Sequence, residues 1–199
     1  VIAMDDRGHG ASAKLYDPAA YSTALMAGDA HALLAHLGIS RADVMGYSMG
    51  ARIAAFLASA HPESVRSLVI AGLGIRLVDG VGLPESIAEA LEAPSLDDVT
   101  DRQGRTFRRF ADQTKSDLRA LAACTRGSRQ VMPESEARAL SVPTLIAVGT
   151  RDDVAGSAAE LAEIIPGSRV LDIEGRDHML AVGDRTYKAG VLAFLSERP

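Results

Sequence analysis

The sequence predicts an α/β fold in which a mostly parallel sheet is flanked by helices. Two observations support this prediction. Apolar runs of the β type alternate with helical patterns at both ends of the chain, as in βαβ units. Between these ends, from residue 75 to residue 140, strand signals vanish and only short amphipathic helical patterns remain. We therefore expect one α/β domain that carries a helical insertion.

The first elements follow from apolar runs and from the residues that start and end helices. Val1–Met4 predicts a strand that ends at Asp5. Asp17 and Pro18 are typical of a helix start, and Gly38 is typical of a C-terminal cap. Four leucines are expected on one face of this helix: Leu25, Leu33, Leu34 and Leu37. The next segments read as strand, helix and strand: Asp43–Tyr47, Ala51–Ala60 and Ser67–Ala71.

The middle of the chain is punctuated by proline and glycine, which separate the predicted short helices. These residues are Pro84, Pro94, Gly104, Gly127 and Pro133. After Pro143 the alternation resumes as strand, helix, strand and helix: Thr144–Val148, Ser157–Ile165, Arg169–Ile173 and Arg185–Leu195. We therefore predict a core formed by residues 1–74 and 141–199, with residues 75–140 inserted.

Composition excludes several classes of protein. The 199 residues suit one domain, and the net charge of −5 argues against a nucleic-acid binder. Cys124 is the single cysteine, so the chain has no internal disulfide.

No apolar run approaches the roughly 20 residues of a membrane span. No signal peptide is visible, and we expect a cytoplasmic protein with no membrane partner. Because the chain opens directly on a strand pattern without Met, we expect its natural start to lie upstream.

The sharpest motif is the pentapeptide Gly46-Tyr47-Ser48-Met49-Gly50, which lies between a predicted strand and a predicted helix. A G-x-S-x-G turn in this context exposes the serine hydroxyl above the sheet. Gly46 and Gly50 are expected because side chains there would collide at so tight a bend. The following helix directs its N-terminal N–H groups at the serine, so the Met49 N–H is a candidate oxyanion donor.

A serine nucleophile needs a histidine base, and the base needs an acid that fixes its tautomer. Two later strands are each followed by a loop with one of these residue types. The first loop carries Asp152 and Asp153, and the second carries Asp177 and His178. Of the five histidines, only His178 follows the candidate acid, so it is the expected base. The others have simpler roles: His31 and His36 on a helix, and His61 as a helix cap.

These residues resemble the α/β-hydrolase family over essentially the whole chain. The segment from Asp5 to Ser12 is similar to that family's D-x-R-G-x-G-x-S turn. By resemblance, the acid is Asp152, three residues past the loop glycine Gly149, and residues 75–140 correspond to a cap that covers the active site and selects substrates. The family's sheet begins with three further strands, and the loop after the third supplies a second oxyanion donor. We therefore expect that the N-terminal strands are missing and that the oxyanion hole is half built.

Two residues are expected to bind substrate beside the triad: Tyr47 next to the nucleophile and His9 in the glycine-rich turn. The stretch from Arg102 to Arg129 is rich in arginine, and one or two of these side chains could bind the carboxylate of an anionic substrate. A solvated helix face, or contacts with acidic residues, would explain the same pattern.

The predicted function is hydrolysis of an ester, thioester or lactone of a small molecule through an acyl-enzyme, without cofactor or metal. Carbon–carbon bond hydrolysis and perhydrolysis on the same triad are alternatives. A third is a ligand-sensing protein that keeps the fold but turns over slowly. The sequence leaves the oligomeric state open.

Overall fold

A computed structural model describes residues 1–80 and 82–197. By their internal contacts the described residues divide into two compact units. One unit contains Val1–Met26 and residues 82–130, and is helical. The other contains Ala27–Gly80 and residues 131–197, and holds the sheet. The sequence assigned residues 1–26 to the core with the sheet, and the division by contacts groups them with residues 82–130. The predicted boundaries at 74 and 140 stay a prediction.

The sheet has four parallel strands in the order β1-β2-β3-β4. Their bounds are β1 Ala42–Tyr47, β2 Val65–Ala71, β3 Thr144–Gly149 and β4 Arg169–Ile173. All three strand pairs are parallel, so the carboxyl ends of the strands lie at one edge of the sheet. The α/β class with a mostly parallel sheet is thereby confirmed.

Helices connect these strands along the chain. Their bounds are α1 Thr23–His36, α2 Met49–Ala60, α3 Arg76–Asp79, α4 Glu85–Glu92, α5 Arg102–Gln113, α6 Leu118–Gly127, α7 Glu134–Arg138, α8 Ala158–Ile164, α9 His178–Ala181 and α10 Arg185–Glu197. Short 3-10 helices cover Pro18–Tyr21, Pro62–Ser64 and Leu96–Asp98. Within the described ranges, no helix has both the length and the apolar character needed to cross a membrane.

Strands β2 and β3 are almost entirely buried, as is typical of a parallel sheet covered on both faces. Their side chains pack with α9 and α10 in one apolar cluster. Its buried members are Val69, Ala71, Leu145, Ala147, Ile173, Ala181, Tyr187, Val191 and Phe194. Each fully buried large apolar side chain stabilises the fold by about 1.5–3 kcal/mol. The carboxyl ends of the strands, where the candidate site lies, therefore adjoin this buried apolar cluster.

The predicted strand at Val1–Met4 is wrong. The structure assigns no strand to this segment, and the side chains of Val1 and Ile2 are exposed. An apolar run becomes a strand only where a neighbouring strand accepts its backbone hydrogen bonds, and this run has no such partner among the described residues. Of the described strands, only β2 pairs with β1.

The leucine face of α1 is also corrected. Met26 and Ala27 are buried, and Leu33 and Leu34 follow them at a spacing of seven, so these four residues share the inner face. Leu25 and Leu37 are exposed, because Leu25 lies one position off this face and Leu37 lies beyond the last residue of the helix.

In the described residues between 75 and 140 all regular structure is helical, as predicted, but Gly104 lies inside α5 rather than between helices. A Cβ at Gly104 would meet the Ala90 side chain at 2.8 Å, so the glycine allows α4 and α5 to approach closely. Gly104 thus serves packing rather than helix termination.

The two glycines of the pentapeptide differ in role. A Cβ on Gly46 would overlap the carbonyl of Gly50, so β1 and α2 can meet at this bend only because Gly46 has no side chain. A Cβ on Gly50 would have no heavy atom within 4 Å in the described parts of the chain, apart from its own neighbours and helix backbone. The expectation of a collision at Gly50 is therefore wrong.

This difference predicts opposite effects of two alanine substitutions. Gly46→Ala should destabilise the protein by about 1–3 kcal/mol or more, because the new methyl group overpacks the bend. Gly50→Ala should be neutral or stabilising by up to about 1 kcal/mol, because alanine favours the helix. Urea unfolding of both variants measures the difference, and equal losses of stability would contradict it.

Candidate active site

Three loops at the carboxyl edge of the sheet carry the residues of the candidate site. Ser48 follows β1 directly, Asp152 lies in the loop after β3, and His178 is the first residue of α9, at the end of the loop after β4. In an open parallel sheet, ligands bind outside the carboxyl ends of the strands. All three residues belong to the unit that holds the sheet, so one compact body determines their geometry.

Ser48 occupies a strained backbone position. Its φ is +55°, in the left-handed region that residues with a side chain rarely adopt, and such a conformation costs on the order of 1–3 kcal/mol. The Ser48 N–H donates to the carbonyl of Ala71 at 2.7 Å, and the Ser48 carbonyl accepts from the N–H groups of Ala51 and Arg52. These bonds hold the strained turn between β1 and α2.

The three side chains form a continuous hydrogen-bonded array. His178 Nε2 lies 2.9 Å from Ser48 Oγ, and His178 Nδ1 lies 2.8 Å from Asp152 Oδ2. An ionised carboxylate can only accept, so Nδ1 carries the proton and Nε2 of the neutral ring accepts from the serine hydroxyl. This tautomer is the one that a base needs in order to take the proton of Ser48.

Asp152 is held as an ionised group. Its side chain is 0% exposed, and its Oδ1 accepts from the N–H groups of Val154 and Ala155 at 2.9 Å each. Burial by itself raises the pKa of this carboxyl group. The hydrogen bond from His178, the electrostatic attraction of this ring and the two backbone N–H groups outweigh burial, so the pKa is lowered below its ordinary value.

Backbone contacts join the acid loop to the base loop. The N–H of Thr150 donates to the carbonyl of Ile173, and the N–H of Arg151 donates to the carbonyl of Arg176. Thr150 Oγ1 accepts from the Gly175 N–H at 2.8 Å. A Cβ on Gly149 would overlap the Arg176 carbonyl, so this glycine permits the close approach. The segments that carry Asp152 and His178 are therefore bonded directly to each other.

The neighbouring carboxylates have other positions. Asp177 caps α9, with its Oδ1 accepting from the N–H groups of Met179 and Leu180. The Asp153 side chain is exposed. Of these two and Asp152, Asp152 is the one within hydrogen-bonding distance of the His178 ring, and its role as the acid stays a prediction.

The remaining predicted site residues are placed as follows. Met49 is the first residue of α2, directly after Ser48. The Tyr47 hydroxyl donates to the backbone carbonyl of His178 at 2.6 Å, a contact that the sequence did not reveal. His9 lies in the helical unit, with its Nδ1 3.0 Å from the Arg7 carbonyl. The expectation that Tyr47, Met49 and His9 contact substrate stays a prediction.

The other histidines lie outside the array. His61 caps α2, as predicted, and its ring stacks on His31 with centroids 3.7 Å apart. His36 is exposed at the end of α1.

Several arginines of the stretch from Arg102 to Arg129 bind groups of their own unit. Arg105 donates to the carbonyls of Leu96 and Val99. Arg108 is buried and donates to carbonyls at the end of α4, and Arg126 pairs with Glu85 and Glu92. These contacts favour a structural role for this charge, and an anionic substrate stays a prediction.

A sequence profile of the alpha/beta hydrolase fold matches residues 1–135, which is more than half of the chain. The chain belongs to the alpha/beta hydrolase family. Its pentapeptide at the β1–α2 turn and the array of Ser48, His178 and Asp152 agree with that membership.

Similar proteins extend this comparison. The chain is 26% identical over 169 residues to a 3-oxoadipate enol-lactonase 2 of Acinetobacter baylyi, a match that covers 77% of this hydrolase-family chain and 62% of that relative. The chain thus spans less than two thirds of the curated relative's length. A hydrolase from Pseudomonas aeruginosa shares 25% identity with a TM-score of 0.76, covering 96% of this chain and 77% of its own. A bromoperoxidase from Bacillus anthracis shares the fold, with a TM-score of 0.77 and 22% identity. The match covers 96% of this chain and 80% of the bromoperoxidase.

The lowered pKa of Asp152 predicts a pH-dependent contribution to stability. A carboxyl group whose pKa is lower in the folded state stabilises the fold fully above its unfolded pKa, about 4. This contribution is lost as the pH falls through the lowered folded pKa. The free energy of unfolding of the native protein should therefore drop relative to that of Asp152→Asn as the pH falls below about 4. Urea unfolding between pH 5 and pH 2.5 measures the difference in the free energy of unfolding between the two proteins. A difference that stays constant with pH would contradict the prediction.

Proposed function

We propose that this protein is a serine hydrolase that cleaves an ester, thioester or lactone of a small molecule through an acyl-enzyme. One observation carries the proposal. A serine on a strained strand–helix turn lies 2.9 Å from the ring of a histidine whose other nitrogen is bound to a buried, ionised aspartate. This arrangement activates a hydroxyl group as a nucleophile at neutral pH.

In the first half of the reaction, Ser48 Oγ attacks the carbonyl carbon of the substrate and its proton passes to His178 Nε2. The carbonyl electron pair moves onto oxygen, and the N–H of Met49 at the start of α2 is the predicted donor to this oxyanion. The tetrahedral intermediate collapses and the alkoxide or thiolate leaves with the proton from His178. The buried carboxylate of Asp152 stabilises the imidazolium that forms between these steps.

In the second half, His178 takes a proton from a water molecule, which attacks the acyl carbon. The ester bond to Ser48 breaks, the proton returns to Ser48 Oγ, and the carboxylic acid is released. With a lactone the leaving hydroxyl group stays attached to the acyl chain, so one hydroxy acid is the product. Every proton transfer is made by His178, and no cofactor is required by this scheme.

Among these substrates, the curated relative supports a lactone, because it is named as an enol-lactonase. Carbon–carbon bond hydrolysis and perhydrolysis use the same nucleophile and base, and no contact in the described residues favours either. A ligand-sensing protein would bind its ligand tightly and turn over generic esters slowly. Turnover of p-nitrophenyl esters and of a simple aliphatic lactone separates a hydrolase from a ligand-sensing protein.

The nucleophile is tested by covalent labelling. A fluorophosphonate probe should label Ser48, and Ser48→Ala should lose labelling together with about 10⁶-fold in kcat. Ser157 provides a matched control, because it is also the residue before a helix and its Oγ accepts from the Glu160 N–H. Ser157→Ala should cost about 1 kcal/mol of stability and keep labelling and turnover. Labelling that survives in Ser48→Ala would overturn the assignment.

The acid is tested by a pair of adjacent variants. Asp152→Asn should lower kcat by about 10⁴-fold, because an amide cannot hold the ring in the required tautomer. Asp153→Asn should retain most of the activity, because the exposed Asp153 side chain does not bind the His178 ring. Steady-state kinetics on p-nitrophenyl acetate distinguish them. Equal losses, or a larger loss for Asp153→Asn, would contradict the role of Asp152.

A further inference from the structure

The Tyr47 hydroxyl group binds the backbone carbonyl of His178, the base of the candidate site, rather than one of its ring nitrogens. Its hydroxyl group donates to the carbonyl oxygen of His178 at 2.6 Å, although the two residues are 131 positions apart in the chain. The Tyr47 ring also packs against the His178 ring, with centroids 5.5 Å apart and planes tilted by 51°. Two contacts of different kinds thus join the same pair of residues.

The position of the Tyr47 hydroxyl is determined by packing on its other sides. A Cβ on Gly72, at the end of β2, would lie 2.6 Å from the Tyr47 ring, so the ring fills the space that this glycine leaves. The ring of Tyr187, on α10, meets it edge-on at 6.3 Å. Burial and then the negative charge of Asp152 raise the pKa of Tyr47, so the phenol remains a donor throughout the neutral range.

His178 needs such support. It begins α9, a helix of four residues, and a helix this short has little hydrogen bonding of its own to fix its place. The hydrogen bond from His178 Nδ1 to Asp152 fixes one atom of the ring, but the ring can still rotate about this hydrogen bond. A displacement of about 1 Å at a reacting group can cost on the order of 10²-fold in rate.

We propose that Tyr47 is a positioning residue, which sets the distance between Ser48 Oγ and His178 Nε2 by anchoring the His178 backbone to the strand that carries the nucleophile. Tyr47 immediately precedes Ser48, so its hydrogen bond closes a ring: Tyr47 to the His178 carbonyl, His178 Nε2 to Ser48 Oγ, and Ser48 back to Tyr47 through one peptide bond. This inference rests on the proposed function, since it assigns Tyr47 to the same reaction.

The test compares Tyr47→Phe with Tyr187→Phe. Both variants keep the ring and lose a hydroxyl group that is hydrogen-bonded in the same unit, since the Tyr187 hydroxyl donates to Met45 Sδ at 3.5 Å. Tyr47→Phe should lower both kcat on p-nitrophenyl acetate and the rate of fluorophosphonate labelling by about two- to tenfold, with KM unchanged. Tyr187→Phe should leave all three unchanged.

A second measurement does not depend on turnover. The His178 Nδ1 proton, bonded to Asp152, should give a low-field resonance in the proton NMR spectrum, and its exchange with water should be faster in Tyr47→Phe than in the native protein or in Tyr187→Phe. The proposal would be overturned if Tyr47→Phe kept the native kcat, labelling rate and proton exchange rate. It would also be overturned if Tyr47→Phe raised KM and left kcat unchanged, because the hydroxyl group would then bind substrate. If the native protein itself is not labelled, the proposed function fails, and the exchange rate alone decides whether Tyr47 positions His178.

Discussion

At Ser48 the backbone turns from β1 into α2 with a φ of +55°, and the rest of the candidate site depends on this bend. The bend exists because Gly46 has no Cβ to meet the Gly50 carbonyl, and because the Ser48 N–H is bound to the end of β2. The strained residue is Ser48, whose hydroxyl group must project from the sheet rather than pack into it. Packing of β2 and β3 in the sheet core supplies the stability that offsets the strain.

Around this bend, contacts between loops help to assemble the site. The acid loop and the base loop share backbone hydrogen bonds at Thr150 and Arg151, and Gly149 allows them to approach. Tyr47 then connects the base to the strand of the nucleophile. A parallel sheet favours this assembly, because loops after its strands emerge at the same edge.

Buried arginines have the same task in both units. Arg52 donates to the carbonyls of Arg76, Leu77 and Gly80 around the end of α3, and Arg108 donates to those at the end of α4. The last carbonyls of a helix have no partner within it, and a guanidinium group can serve several at once. Arg52 and Arg108 stabilise the ends of two short helices in this way.

The sequence by itself determined the strands β1 to β4 within two residues at each end, the helical character of the middle of the chain, and the order of Ser48, Asp152 and His178. These features depend on local patterns: apolar period, caps, and loops that follow strands. Tertiary structure alone decided that Val1–Met4 forms no strand, that Gly46 rather than Gly50 is crowded, and that the Tyr47 hydroxyl faces the His178 carbonyl. Each of these outcomes depends on which distant backbone atom lies nearby, and no local pattern encodes that distance.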